Sequence, residues 1–149
     1  MKDQTEQIEA HNYTVSTAYG TFSRPETVTY PAVPGMPGVW VKQLYDANGY
    51  LNEVQRADGT AYWKAKTYDA EGHIKQQQLG NGIVTDRVCV PETGVLKAIQ
   101  SGFNGGVGVQ NLEYEFSVIG NLRKRTDHNQ TVNGATLSEE FEYDELNRS

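Results

Sequence analysis

Apolar and polar side chains alternate along much of this chain. Leu112, Tyr114 and Phe116 alternate with Asn111, Glu113 and Glu115, a period of two that predicts a half-buried strand. Phe141 and Tyr143 alternate in the same way with Glu140, Glu142 and Asp144. From Val39 onward the pattern is strand, turn, strand. Asp58-Gly59, Asn81-Gly82 and Asn133-Gly134 punctuate it. Each pair accepts positive φ, which predicts type I′ hairpin turns. Helical periodicity is scarce: only Lys2 to His11 could form a helix, short and polar, and residues 1–24 are expected to be loosely ordered. Residues 31–38 form a Pro/Gly segment that neither strand nor helix can hold.

The alternation hides a repeat, and repeats decide architecture. Tyr45-Asp46-Ala47-Asn48-Gly49-Tyr50-Leu51 returns as Tyr68-Asp69-Ala70-Glu71-Gly72-His73-Ile74 and again as Phe116-Ser117-Val118-Ile119-Gly120-Asn121-Leu122. A fourth copy, from Cys89 through Gly94 to Leu96, is one residue longer and has lost its Tyr and Asp. A fifth begins at Tyr143-Asp144. In one unit the aromatic residue ends a strand, and the Asp accepts turn amides as an Asx-turn does. The Gly takes a left-handed conformation, and the aliphatic residue starts the return strand, where it can pack on the aromatic ring. Such a hairpin has one greasy face that it cannot bury alone, so it must lie beside its neighbours. Truncating Tyr45 to Ala is therefore expected to cost a few kcal/mol, as aromatic truncations in cores do.

Composition sharpens this picture. Leu, Ile, Val and Phe make up 31 of 149 residues, close to the level at which chains fail to fold, so any core is thin. Nine Tyr and two Trp add apolar area. The net charge of -6, with Arg123-Lys124-Arg125 as the one dense basic cluster, argues against a nucleic-acid surface. No apolar run is long enough to span a membrane. One cysteine, Cys89, excludes an internal disulfide; its place on a strand suggests a small buried hydrophobe.

The chemistry-bearing candidates are sparse. His11, His73 and His128 are scattered, with no metal-ligand spacing, so neither metal nor cofactor is expected. No Ser-His-Asp or Cys-His arrangement stands out, and no catalytic residue is assigned, so the chain is not expected to be an enzyme. Val90-Pro91-Glu92-Thr93-Gly94 resembles a sortase signal without its apolar tail. Gly105-Gly106-Val107-Gly108 lacks the Gly-Lys-Ser/Thr of a phosphate loop and reads as a flexible loop. Glu113 and Glu115 read as a solvated face opposite Arg123 and Arg125. Among the aromatics, Trp63 and Tyr62 are the candidates for a sugar-stacking face, with core packing as the competing reading.

The run Leu79-Gly80-Asn81-Gly82-Ile83-Val84-Thr85-Asp86-Arg87, the segment from Pro91 to Ile99, the segment from Val109 to Leu122, and Tyr143-Asp144-Glu145-Leu146-Asn147-Arg148 resemble the RHS or YD repeat. The likeness covers 39–149, and more weakly 25–38, so 25–149 reads as the repeat region. Proteins of that kind include bacterial Rhs toxins, shell-forming subunits of insecticidal toxin complexes and, more distantly, teneurins. The resemblance implies an all-β fold: antiparallel hairpins in a curved, twisted strip that forms part of a hollow shell around a C-terminal toxin. It implies as partners the neighbouring repeats of the same polypeptide and an encapsulated toxin domain, and as location a secreted or cell-surface protein. A carbohydrate-binding module recognising cell-surface glycans is the alternative it leaves. The family's Asp-Pro-x-Gly cleavage site is not matched, since Val90 stands where its Asp would be. The chain stops inside its fifth copy, as a fragment would. A strip of about ten strands with open edges is expected to self-associate.

Overall fold

The computed structural model describes residues 1–8 and 11–144, and the structural statements below concern these. They form β1 (Lys2–Ile8), β2 (His11–Tyr19), β3 (Pro25–Thr29), β4 (Trp40–Tyr45), β5 (Leu51–Arg56), β6 (Ala61–Tyr68), β7 (Ile74–Leu79), β8 (Ile83–Cys89), β9 (Leu96–Phe103), β10 (Gln110–Phe116), β11 (Leu122–Val132) and β12 (Ala135–Glu140). Strand order follows chain order in one antiparallel sheet, the all-β hairpin architecture that the repeat implies. The chain divides into two compact units, Met1–Ala65 and Lys66–Ser149.

In the first unit, register sorts the side chains by face. Val28 stands opposite Val41, and Val54 opposite Trp63. Alternation adds Val15, Gln43 and Tyr45 to that apolar side. The reverse side carries Thr27, Lys42, Glu53 and Lys64, with Lys64 Nζ 3.0 Å from the Glu53 carboxylate. The second unit carries two polar rows. On one face Ser101 Oγ donates to Thr85 Oγ1 at 3.0 Å, with Gln110 on its other side. On the reverse face Gln76 Nε2 donates to Asp86 Oδ1 at 2.7 Å, and Gln100 Nε2 to Asn111 Oδ1 at 3.2 Å. Ile99, Leu112 and Leu137 lie on the Ser101 face.

Among the described residues the buried apolar core is Ala65 alone, at 8% exposure, and the buried polar side chains are Thr85 and Ser101. No second layer covers the sheet of either unit. Apolar side chains are half-covered by neighbours in the same sheet and then meet solvent. The low aliphatic content therefore matches the fold, which needs apolar side chains in rows and not in a volume.

Four expectations change. The N-terminal segment is neither helical nor loose: β1 pairs with β2 from Lys2↔Thr17 to Ile8↔His11, and Thr5 and Thr14 hydroxyls meet at 2.8 Å. Its side chains are polar on both faces, so no alternation betrays the strand, and ladder bonds to β2 hold it. Cys89 is exposed, because it ends β8 at a turn with no layer above it. Of the three expected type I′ turns only Asn133-Gly134 has positive φ at both positions. Asp58 and Asn81 keep negative φ, and only the glycine after each is left-handed, which is a type I turn with a glycine bulge. Finally, Glu113 faces Thr126 and Glu115 faces Lys124, while Arg125 stands opposite Tyr114 and pairs instead with Glu139. An odd offset in register puts Arg125 on the face away from Glu113.

Candidate functional site

The repeat turns share one geometry. Asp46 donates its amide to the Tyr50 carbonyl at 2.9 Å and accepts the Gly49 amide on its own carbonyl at 3.0 Å. Its carboxylate accepts the amides of Asn48 and Tyr50, both at 2.9 Å. Gly49 is left-handed at φ +88°, and Tyr45 stands opposite Leu51. Asp69 repeats this with the amides of Glu71 at 3.1 Å and His73 at 2.7 Å, with Gly72 at φ +87° between Tyr68 and Ile74. In the third copy Ser117 Oγ takes over the acceptor role toward Asn121, Gly120 is left-handed, and Phe116 stands opposite Leu122. In the fourth, Val90 accepts the amides of Thr93 and Gly94, and Cys89 stands opposite Leu96. Tyr143 is half-buried and Asp144 exposed; the rest of the fifth copy, 145–149, lies outside the described residues.

Antiparallel order sends every second turn to the same end of a sheet. In the first unit the turns at 20–24 and 46–50 share an end; in the second, those at 69–73, 90–95 and 117–121 do. Arg24, which no sequence pattern singled out, links the first two. Its guanidinium lies 5.4 Å from the Phe22 ring centre and 5.5 Å from that of Tyr45. It also occupies the space that a Cβ on Gly49 would need. The Tyr45 hydroxyl donates to the Pro25 carbonyl at 2.8 Å. Phe22 and Ser23 are consecutively left-handed at φ +59° and +56°, a strained conformation for side-chain-bearing residues. Phe22, Arg24 and Tyr45 border a shallow cavity of about 310 Å³, whose lining also includes Glu26, Lys42 and Leu44.

Electrostatics follow the turns. Burial works against the charged form of Asp69, but the hydrogen bonds from His73 and Glu71 outweigh it and hold the carboxyl below the usual range. The Thr60 hydrogen bonds do the same for Asp58, whose carboxylate accepts the Thr60 amide at 2.9 Å. The Gln55 side chain lowers Glu53, aided by Lys64 against burial. Although no metal ligands were expected, Asp69, Glu71 and His73 bring three ligand atoms within 4.8 Å of one another. Their meeting is a consequence of the turn, in which His73 Nδ1 already lies 3.0 Å from Asp69 Oδ2.

Tyr62 and Trp63 are consecutive in β6, and the bulge that interrupts the β5–β6 register falls at Tyr62. Trp63 lies among the apolar row beside Val54, and Tyr62 is exposed under the Arg56 guanidinium at 5.7 Å.

Antiparallel hairpins in chain order, closed by Asx turns, define a hairpin-repeat architecture. No protein-family model matches the chain, and no curated protein matches it. Solved structures do. It is similar to a chain in the crystal structure of TcdB2-TccC3-TEV, with TM-score 0.76 and 23% identity over 91% of this chain and 7% of that one. The crystal structure of TcdB2-TccC3-Cdc42 gives 0.77 and 23% over 92% of this chain and 7% of that one. The Photorhabdus luminescens Tc holotoxin pore gives 0.75 and 23% over 91% and 6%. The likeness is one of fold: this chain has the strand architecture of a small segment of those toxin-complex chains, in keeping with its resemblance to RHS repeats.

Proposed function

We propose that residues 1–149 are a wall segment of an RHS-type toxin shell, structural in role and without catalytic chemistry of their own. The observation that carries this reading is a sheet with almost no buried side chains whose fold covers 91% of this chain but 7% of a toxin-complex chain. A sheet of half-covered rows gains stability from strands added at its edges and from contents laid against its face. The partners under this reading are the neighbouring repeats of the same polypeptide and an enclosed toxin domain, within a secreted or cell-surface protein. Protease protection tests it. In the full protein, deleting residues 39–144 is expected to expose an otherwise resistant C-terminal domain to digestion. Undiminished resistance in the deletion would overturn the reading.

A further inference from the structure

Four Asn-Gly pairs stand at hairpin tips: Asn48-Gly49, Asn81-Gly82, Asn104-Gly105 and Asn133-Gly134. As a dipeptide, Asn-Gly is chemically labile. The glycine amide nitrogen, once deprotonated, attacks the asparagine side-chain carbonyl carbon. A C–N bond forms, ammonia leaves, and the resulting succinimide ring is opened by water to aspartate or isoaspartate. Glycine allows this because no Cβ blocks the approach of its nitrogen. The reaction needs a glycine N–H free to lose its proton and a side chain free to swing toward it.

The fold divides these four chemically alike sites into two pairs. In the type I turns the glycine amide is the turn's own donor: Gly49 bonds the Asp46 carbonyl at 3.0 Å, and Gly82 the Leu79 carbonyl at 2.9 Å. Both glycines are half-buried. The Asn81 side chain is also held, its Oδ1 accepting the Ile83 amide at 3.1 Å. In the two type I′ turns the geometry is reversed. Asn104 and Asn133 are themselves left-handed, at φ +53° each, and are followed by left-handed Gly105 and Gly134. The bonds that close these turns come from the next residue, as Gly106 to the Phe103 carbonyl at 3.0 Å. The Gly105 and Gly134 amides make no backbone hydrogen bond among the described residues, and both residues are exposed.

We propose that Asn104 and Asn133 are sites of deamidation and isoaspartate formation in the folded protein, and that Asn48 and Asn81 are protected by their turns. Isoaspartate adds a backbone methylene, which the two-residue connection at Asn133 cannot absorb without shifting the register of the strands it joins. At Asn133 those are β11 and the edge strand β12. The product also adds a negative charge at the tip.

The test ages the 149-residue chain in mildly alkaline buffer, native and in urea, and follows each site by peptide mass spectrometry with isoaspartyl methyltransferase labelling. In urea all four sites are expected to convert at comparable rates. In the native chain Asn104 and Asn133 are expected to keep rates near the urea values, while Asn48 and Asn81 slow several-fold or more. Native conversion at Asn48 or Asn81 as fast as at Asn133 would overturn the proposal, and so would equal protection of all four. Gly49→Ala is not used as a control, since it removes the labile dipeptide; Asp46→Ala, which loosens the turn but keeps Asn48-Gly49, is expected to raise conversion at Asn48. No change at Asn48 in that variant would count against turn protection.

Discussion

A side chain forced into the left-handed region costs roughly 1–2 kcal/mol, and two glycines here separate that cost from steric cost. Gly59, at φ +83°, has open space where a Cβ would go; Gly49, at φ +88°, has Arg24 there. Gly59→Ala is expected to lower stability by the backbone cost alone, and Gly49→Ala by that cost plus the smaller one of moving the flexible Arg24 guanidinium off the Phe22 and Tyr45 rings, both read from urea unfolding midpoints. In an Arg24→Ala background the two costs should converge, the coupling a double-mutant cycle isolates. Acidity reports the same turns. Asp58 and Asp69 titrate below the ordinary aspartate value of 3.8, so the unfolded chain binds more protons near that pH. Their contribution is complete above that value and fades as pH falls through the lower folded one. The urea midpoint is expected to drop below about pH 3.8, and Asp58→Asn with Asp69→Asn to flatten that drop. Tyr45 is half-buried, so Tyr45→Ala is expected to cost about 2 kcal/mol, less than a core truncation. Tyr45→Phe, which loses the hydroxyl bond to Pro25, is expected to cost about 1 kcal/mol.

Elements were legible in the sequence where one face differs from the other. β10 announces itself through Leu112, Tyr114 and Phe116, and the turn glycines fix where strands reverse. β1 was not legible because its two faces are equally polar, and its pairing to β2 is made by backbone groups that every residue carries. Turn type was not legible either: Asp58-Gly59, Asn81-Gly82 and Asn133-Gly134 look alike in sequence, yet the flanking strands decide whether the residue before glycine turns left-handed. Of the candidate site, the Asp46 and Asp69 turns could be read locally. Arg24 could not, because its contacts join two hairpins far apart in sequence. Among the described residues the Thr85–Ser101 pair is the one buried polar contact between strands. Ser101→Ala leaves the Thr85 hydroxyl buried without that partner, an expected cost of about 1–3 kcal/mol. Replacing both by Val is expected to cost less than the sum of the single changes, as measured by chemical denaturation.

At the scale of the whole molecule, the small aliphatic content and the absence of a covered core have one cause. Each hairpin is completed by the hairpins beside it, so β1 and β12 end the sheet with ladder groups facing outward. On the proposed reading those edges meet further strands of the same polypeptide, and the chain in isolation is expected to pair with copies of itself, as light scattering would report. The most direct measurement is a structure of the full reading frame that contains residues 1–149, at a resolution that traces the strands. The account predicts that β1 and β12 are each hydrogen-bonded to strands outside this segment, within one continuous wall. A structure in which both edges face solvent, or in which the segment closes on itself around its own core, would contradict it.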